Sequence, residues 1–547
     1  MKQTRASSAY SYPLLIRQLW HTPMACNPDA EIVSGTEWRF SYRELRARVG
    51  RLASGLTSLG VKPGDTIAVM DWDNHRYLEC FFAVPMIAAV LHTINVRLSP
   101  EQILYTINHA EDDVILLHAD FVPIIEQIRD RIENSPCFIF LSDTPAAALP
   151  EFCSDEYEAL LQGGDADYEF QDFNENTVAT TFYTTGTTGD PKAVFYTHRQ
   201  LVLHTLALIG GLSSADSSSR VHRGDVYMPI TPMFHVHAWG FPYAATLLGI
   251  KQVYPGRYDP ARLLALIESE RVSFSHCVPT ILQMLLTAPE AAEIDLCGWK
   301  VVVGGAALPQ GLAQVATQRG INLFTGYGLS ETGPVMTMSD MAGVYAVDPD
   351  ADVADRCKTG KPMLMVDLRV VDTEMRDLPR GGSITGEVVV RAPWLTPGYA
   401  GNPEGSEQLW QGGYLHTGDV GYLDEGGSLM ITDRMKDVIK SGGEWLSSLE
   451  LENIVSACAS VAEVAAFAIG DDRWGERPML AVVGSPGAAS EVIVSEAMAA
   501  VQVGVDAGQF PRWALPERVE VLDELPRTSV GKLDKKRLRA IYGIAAE

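Results

Sequence analysis

The sequence predicts an α/β protein with a large N-terminal domain of α/β sheets, a small β region and a small α+β C-terminal domain. Helical and strand patterns alternate in the first third of the chain and again after residue 175, which favours parallel sheets covered by helices. From about residue 360 the pattern changes to short alternating runs with turns, typical of antiparallel strands. A second α/β pattern begins beyond Asp433.

The first repeat shows why each element is expected. Residues 40–60 carry apolar side chains at helical spacing, with Ser41 as N-cap, Glu44 three residues on and Gly60 as a stop. The next ten residues, VKPGDTIAVM, read as a turn and a buried strand. The same order recurs in residues 79–99 and 101–119, and later in residues 262–286 and 299–328.

Length and charge exclude several classes of protein. A chain of 547 residues is too long for one hydrophobic core, so at least two domains are expected. The net charge of −26 argues against general binding of nucleic acid or of anionic membranes. Apolar runs are too short for an integral membrane segment and no cleavable signal is visible, so a cytoplasmic protein is expected. Eight cysteines without a C-x-x-C pair favour reduced thiols over disulfides or zinc.

Residues 183–194 form a segment suited to phosphate, YTTGTTGDPKAV. Its glycines allow close backbone approach, its threonines offer hydroxyl groups, and Lys192 offers a positive charge. It is not a Walker A loop, because Pro191 stands where that loop requires glycine. The alternative is a surface turn rich in glycine and threonine.

Two further segments carry acids. Residues 326–332, GYGLSET, place Glu331 beside hydroxyl groups after an apolar run, which suits Mg²⁺, although a merely solvated acid is an alternative. Asp419 follows a tight turn and could accept hydrogen bonds from vicinal ribose hydroxyls, with Arg434, Lys436 and Lys440 as nearby cations. An exposed hairpin followed by a charged helix start is the alternative for that segment.

A fourth segment near the C-terminus is basic, PRTSVGKLDKKRLR. Lys532 stands apart there because it follows Gly531 in a loop, whereas the other basic residues could be a solvated helix face. In this order, the four segments resemble the core motifs of the adenylate-forming superfamily of acyl-CoA synthetases, non-ribosomal peptide adenylation domains and luciferases. The resemblance spans residues 30–540. Ala193 replaces the usual glycine and Asp190 precedes the proline, but neither change removes a phosphate contact.

The resemblance implies an N-terminal adenylation domain at 1–432, a hinge at 433–438 centred on Lys436, and a mobile C-terminal domain at 439–547. A carboxylate would attack the α-phosphate of ATP, giving an acyl-adenylate and pyrophosphate, and a thiol would then attack the adenylate. Mg²⁺ is the implied cofactor, and ATP and CoA are the implied co-substrates.

The resemblance also implies roles for individual residues. Lys532 and Glu331 would be catalytic, and Thr184 and Glu331 would hold Mg²⁺. The implied ATP- and AMP-binding residues are Thr184, Thr185, Gly186, Thr187, Thr188, Gly189, Lys192, Gly304, Gly305, Thr325, Gly326, Tyr327, Ser330, Asp419, Arg434, Lys436, Lys440 and Trp445. The implied acyl-binding residues are His235, Val236, Trp239 and Gly328.

Residues 232–253 resemble fatty acyl-CoA synthetases more than amino-acid adenylation domains, and Trp239 matches the aromatic gate of a fatty-acyl tunnel. Acetate-activating relatives carry a tryptophan three residues before the magnesium glutamate, where this chain has Gly328. We therefore expect a medium- or long-chain fatty acid, with an aryl, alicyclic or other small acid as the alternative. A fatty acyl-AMP ligase loading a carrier protein, a light-emitting or oxygen-using relative and a catalytically silent nucleotide sensor are further alternatives. The resemblance also favours a homodimer.

Overall fold

The computed structural model describes residues 6–144, 148–184, 190–214, 220–339, 349–382, 384–441, 444–471, 473–527 and 533–543. Two large sheets form the N-terminal part. Within these ranges, the first sheet holds nine strands, mostly parallel at its centre, in the spatial order Lys361–Pro362, Val335–Met338, Asn322–Gly328, Lys300–Gly304, Phe274–Cys277, Val226–Pro229, Lys251–Tyr254, Glu31–Ser34 and Trp38–Ser41. The second is parallel except at one edge, in the order Asp155–Glu156, Cys137–Leu141, Val114–His118, Thr66–Met70, Val90–Thr93, Val178–Thr184 and Lys192–Thr197.

Helices cover both sheets, as the alternating pattern predicts. The α-helices of this part are His21–Cys26, Tyr42–Ser58, His75–Met86, Pro100–Ala110, Val122–Ile128, Tyr157–Gly163, His198–Ser214, Phe241–Leu248, Pro260–Glu270, Pro279–Thr287, Gln310–Gln318, Pro349–Cys357 and Pro403–Leu409. Short 3₁₀ helices occur at Ile16–Trp20, Ala119–Phe121, Arg129–Arg131, Pro289–Ala292, Ser330–Thr332, Gln411–Gly413 and Arg512–Ala514.

The first predicted helix is confirmed in detail. Tyr42–Ser58 begins after Ser41, whose hydroxyl accepts a hydrogen bond from the backbone of Glu44, and the Glu44 carboxylate accepts one from the backbone of Ser41. This reciprocal capping satisfies two backbone donors that the first turn would leave unpaired. The chain then leaves the helix through Gly60, where φ is +96°, a conformation that favours glycine.

The predicted β region is a separate antiparallel sheet with strands Asp367–Val371, Gly386–Arg391, Leu415–Leu423 and Leu429–Arg434. The C-terminal sheet contains Glu444–Leu446, Ile439–Ser441, Gly475–Gly484, Val461–Asp471 and Arg518–Leu522. Its helices are Ser448–Ser456, Ser490–Asp506 and Lys535–Tyr542. The chain therefore changes sheet between Arg434 and Ile439.

The hydrophobic cores follow the same division. One core joins the second sheet to the facing side of the first, and another lies under the opposite side of the first sheet. The C-terminal sheet has its own two clusters, on its two faces. In the part of the chain that the structure describes, no helix combines the length and apolar character needed to span a bilayer.

Candidate active site

A cleft of about 1960 Å³ runs between the N-terminal sheets, the β region and the C-terminal domain. Strands Lys300–Gly304 and Asn322–Gly328 are parallel neighbours, and their carboxyl ends open into it, the usual place for ligands in such sheets. The predicted residues that line it are Thr184, His235, Val236, Trp239, Gly305, Thr325, Gly326, Tyr327, Gly328, Ser330, Glu331, Asp419, Arg434 and Lys436. The structure thus brings segments predicted separately into one site.

The phosphate-type segment is the end of a β-hairpin. Thr184 closes one strand and lies directly opposite Lys192, the first residue of the next. The Lys192 ammonium lies 4.7 Å from the centre of the Tyr399 ring, a cation–π contact. The five residues predicted to contact phosphate between these strands lie outside the described ranges: Thr185, Gly186, Thr187, Thr188 and Gly189.

Tyr399 links this hairpin to the predicted magnesium ligand. Its hydroxyl donates a hydrogen bond of 2.7 Å to Oε1 of Glu331. Burial and the Glu331 charge raise the pKa of Tyr399, so the hydroxyl keeps its proton and acts as the donor. The hydroxyl of Tyr196 donates to the backbone oxygen of Ser330 at 2.6 Å and fixes the same short helix. Both tyrosine contacts were missed by sequence reasoning.

Thr184 and Glu331 fit a magnesium ion by the chemistry of their donor atoms. They present a hydroxyl and a carboxylate to the same cleft, and Mg²⁺ takes oxygen ligands while keeping phosphates and water in its shell. Among the described residues, no group of three or more His, Cys, Asp or Glu side chains could form a dedicated metal site.

Asp419 is buried on the other wall of the cleft. Its Oδ2 accepts a 2.7 Å hydrogen bond from the Tyr327 hydroxyl, and its Oδ1 lies 3.1 Å from Nε of Arg434, the residue opposite it in the antiparallel pair. Burial and the Asp419 charge raise the pKa of Tyr327 well above its usual value, so the hydroxyl stays protonated. Each carboxylate oxygen retains a lone pair for a further donor, as two vicinal hydroxyls require.

Gly304 lies where strand Lys300–Gly304 meets both its neighbouring strand and the side chain of Trp239. Gly304 pairs with Gly326, and a Cβ at Gly304 would lie 2.5 Å from the backbone oxygen of Gly326. The same Cβ would lie 3.1 Å from Cη2 of Trp239, so the indole packs against bare backbone. Thr325 precedes this point, and its hydroxyl donates to the backbone oxygen of Lys358. A side chain at 304 would therefore displace either the neighbouring strand or Trp239.

Trp239 ends a left-handed turn, Val236–Trp239. Its four residues have φ values of 48°, 52°, 47° and 60°, although none is glycine. Such a conformation costs roughly 1–2 kcal/mol per residue relative to a right-handed one. Gly240 follows at φ 77° and starts helix Phe241–Leu248. The surrounding contacts must therefore hold this turn in place.

Glycine is needed at position 328 for a local steric reason that the sequence did not reveal. A Cβ at this position would lie 1.6 Å from the backbone oxygen of Pro334, so no side chain fits on this backbone. The missing side chain would point at Pro334 and not into the open cleft. The glycine is therefore required by the approach of two chain segments, in addition to any effect on pocket size.

Comparison with known proteins agrees with this arrangement. A model of the AMP-binding enzyme family matches residues 20–400, and a model of the AMP-binding enzyme C-terminal domain matches residues 450–532. The chain belongs to the AMP-binding enzyme family. The resemblance to the adenylate-forming acyl-CoA synthetases is thereby confirmed, as is the α/β fold with a smaller C-terminal domain.

Members of the family resemble the chain over almost its whole length. A long-chain-fatty-acid–CoA ligase of Thermus thermophilus is 40% identical over 94% of this chain and 92% of its own. A 3-methylmercaptopropionyl-CoA ligase of Ruegeria lacuscaerulensis is 36% identical over 96% of this chain and 97% of its own. The crystal structure of the anthranilate CoA ligase AuaEII with anthranoyl-AMP is 20% identical, covers 99% of both chains, and has a TM-score of 0.85. That last likeness concerns the fold.

Charged side chains connect the AMP-binding domain and the C-terminal domain at their border. The buried carboxylate of Asp433 accepts a 2.6 Å hydrogen bond from the backbone of Ser448, and Asp437 pairs with Arg539. Lys436 lies between them in an exposed turn at the edge of the cleft. Lys440 is exposed one strand further on, opposite Trp445. The Trp445 side chain and Lys532 are outside the described part of the chain.

Asp73 supports the segment that leads into the left-handed turn. Its buried carboxylate accepts hydrogen bonds from the backbone of Met233 at 2.9 Å and from the Tyr258 hydroxyl at 2.6 Å. Burial raises the pKa of Asp73 to about 7, although both hydrogen bonds and the charge of Arg97 oppose the rise. The folded protein thus favours the protonated carboxyl, a contribution that is lost as the pH rises through about 7.

Asp73→Asn should therefore make stability less dependent on pH. The free energy of unfolding of the wild-type protein should fall between about pH 5 and about pH 8 by more than that of the variant, because the amide does not titrate. Urea unfolding at the two pH values measures this difference. Asp523→Asn, at an exposed position, is the control. Parallel pH profiles for Asp73→Asn and the wild-type protein would contradict the assignment.

Proposed function

We propose that this enzyme activates a medium- or long-chain fatty acid, first to an acyl-adenylate and then to an acyl-CoA, with release of pyrophosphate and AMP. The observation that carries the proposal is the shared cleft, in which Glu331 and Thr184 face the same space as Asp419, with Trp239 at its acyl end. A carboxylate is a poor electrophile at neutral pH. Joining it to AMP supplies the leaving group that thioester formation needs.

Different side chains of the cleft would bind different parts of the nucleotide. Asp419, held by Tyr327 and Arg434, would accept the two ribose hydroxyls. At the other end, Thr184 and Lys192 would bind the β- and γ-phosphates, which depart as pyrophosphate. These groups are fixed by their neighbours before substrate arrives, so they need little reorganisation when charge shifts in the transition state.

The metal ion and Lys532 would act between these two ends. Thr184 and Glu331 would hold Mg²⁺, which when bound supplies positive charge to the phosphate oxygens. Tyr399 would orient the Glu331 carboxylate through the hydrogen bond at Oε1. Lys532 would neutralise charge between the acid and the α-phosphate in the first half-reaction only.

The domain division at 1–432, 433–438 and 439–547 belongs to the same proposal. The chain changes sheet between Arg434 and Ile439, and Lys436 stands in the turn between these strands. A hinge there would move the C-terminal domain, with Lys532, without disturbing the sheet that carries Asp419. We further propose a cytoplasmic location, from the short apolar runs of the sequence, and a homodimer, from the resemblance. Light scattering of the purified enzyme tests the dimer.

The acid is proposed to be aliphatic because several apolar side chains line the cleft together with Trp239. Val236, Val278, Val303, Leu308 and Val335 all line it. The identity of 40% with a long-chain-fatty-acid–CoA ligase supports this substrate class. A short acid with a thioether is the second candidate, because the identity with a 3-methylmercaptopropionyl-CoA ligase is nearly as high.

A chain-length series separates these two candidates. The values of kcat/KM for straight-chain acids from acetate to palmitate should rise by about fourfold per methylene, the equivalent of roughly 0.8 kcal/mol, and level off where the cavity ends. A benzoate and 3-methylmercaptopropionate complete the panel. A maximum at 3-methylmercaptopropionate with weak activity on octanoate and longer acids would replace the first candidate by the second.

A further inference from the structure

A buried hydrogen-bond chain fixes the imidazole of His237 in the middle of the left-handed turn. The Thr180 hydroxyl donates to the backbone oxygen of Leu91 at 2.8 Å and lies 2.7 Å from Nε2 of His237. Because the one hydroxyl proton is used on Leu91, the hydroxyl must accept a proton donated by Nε2. Burial lowers the pKa of His237 to about 3, so the ring is neutral, with its proton on Nε2.

Aromatic side chains surround the same imidazole. Its ring centre lies 5.2 Å from that of Phe182 and 5.4 Å from that of Phe81, both in edge-to-face contact, and 6.0 Å from that of Tyr243. The imidazole is therefore packed among aromatic rings, and within the described part of the chain Thr180 makes its one side-chain hydrogen bond. This contact gives the imidazole in the middle of the turn a fixed direction.

Trp239, two residues further on, begins a wall between the cleft and a second cavity. We call Trp239, His276 and Phe241 the aromatic wall, because their ring centres follow one another at 5.0 Å and 4.6 Å. Phe241 also lines a small cavity of about 10 Å³, together with Phe274, Leu212 and other apolar residues. Ser213 also lines the cavity, but the accessible surface of the cavity is apolar, so the end of an aliphatic chain that passed the wall would find a compatible surface.

We propose that Thr180 and His237 are positioning residues that set the length of acid the enzyme accepts. Their hydrogen bond holds the turn Val236–Trp239 in its left-handed conformation and so keeps the indole of Trp239 against Gly304. Without the bond, the turn relaxes toward a less strained conformation and Trp239 moves away from Gly304. The part of the cleft that would hold the acyl chain then extends toward the small apolar cavity. This inference rests on the proposed activation of an acid in this cleft.

The test compares Thr180→Val with Thr180→Ser. Valine keeps the shape of threonine but cannot accept the proton of Nε2, whereas serine keeps the hydroxyl. In Thr180→Val we expect the preferred acid to be longer by at least one even-numbered step. For the shortest good wild-type acid, KM should rise by about fifteenfold, the loss expected from roughly two buried methylenes. KM for ATP should stay unchanged, and Thr180→Ser should keep the wild-type chain-length profile.

A second variant covers the case in which Thr180→Val does not fold. In His237→Phe, the phenyl ring packs among the same aromatic side chains but cannot donate a hydrogen bond to Thr180. This variant should shift the chain-length profile in the same direction as Thr180→Val. A wild-type profile in either folded variant would overturn the inference, as would an equal loss for all acids together with a raised KM for ATP. A wild-type enzyme that activates no acid in the panel would instead refute the proposed function.

Discussion

Glu331→Gln should lower the rate of acid-dependent pyrophosphate release by roughly 10²- to 10³-fold, the usual effect of removing one preorganised charged partner. Glutamine keeps the size of the side chain and can still accept the hydrogen bond from Tyr399, but it loses the negative charge that Mg²⁺ requires. The fold should therefore remain intact. Pyrophosphate release over a range of Mg²⁺ concentrations measures both the rate and the metal requirement.

The control for this experiment is Glu290→Gln. Glu290 is exposed in the short helix Pro289–Ala292 and does not line the cleft. It should have the wild-type rate. If Glu331→Gln kept both the wild-type rate and the wild-type Mg²⁺ requirement, Glu331 would not be the metal ligand.

Lys532→Ala should separate the two half-reactions. We expect adenylation to fall by about 10²- to 10³-fold, because the charge between the acid and the α-phosphate is then unopposed. Conversion of a supplied acyl-adenylate and CoA to the thioester should continue at nearly the wild-type rate. Pyrophosphate release measures the first step, and acyl-CoA formation from the supplied adenylate measures the second.

Lys62→Ala is the matched control for the lysine, since Lys62 is exposed in a turn far along the chain from the site segments. It should leave both half-reactions unchanged. An equal loss of both half-reactions in Lys532→Ala would show that this residue does not act in adenylation alone, and the proposed movement of the C-terminal domain would lose its main support.

The sequence predicted the parts of the fold that depend on local signals. Helix Tyr42–Ser58 was predicted because its periodicity and both capping residues lie within one short segment. The β region was predicted because period-two alternation is also local, and four strands between Asp367 and Arg434 do form an antiparallel sheet, although the strand Lys361–Pro362 joins the first large sheet instead. The candidate site segments could be proposed from the sequence because each is a continuous motif, and the roles of their residues stay predictions.

The missed contacts join segments that are far apart in sequence. Tyr399 and Glu331 are separated by 68 residues, and Thr180 and His237 by 57. The packing of sheets and loops determines which of these residues meet. No local sequence pattern around either member of a pair indicates its partner. Gly328 shows the same limit, because its need for glycine comes from the backbone of Pro334 passing close by. Similarly, the left-handed turn at Val236–Trp239 runs against the preferences of its own residues.

The most direct test of the proposed function is a single incubation of enzyme, ATP and Mg²⁺ with octanoate or palmitate, with and without CoA. Pyrophosphate and the acyl product are both measured. We expect acid-dependent pyrophosphate release, and with CoA the formation of AMP and acyl-CoA in equal amounts. Pyrophosphate release without any thioester in the presence of CoA would point to an acyl-AMP ligase that loads a carrier protein. No acid-dependent pyrophosphate release from either acid would contradict the proposed function itself.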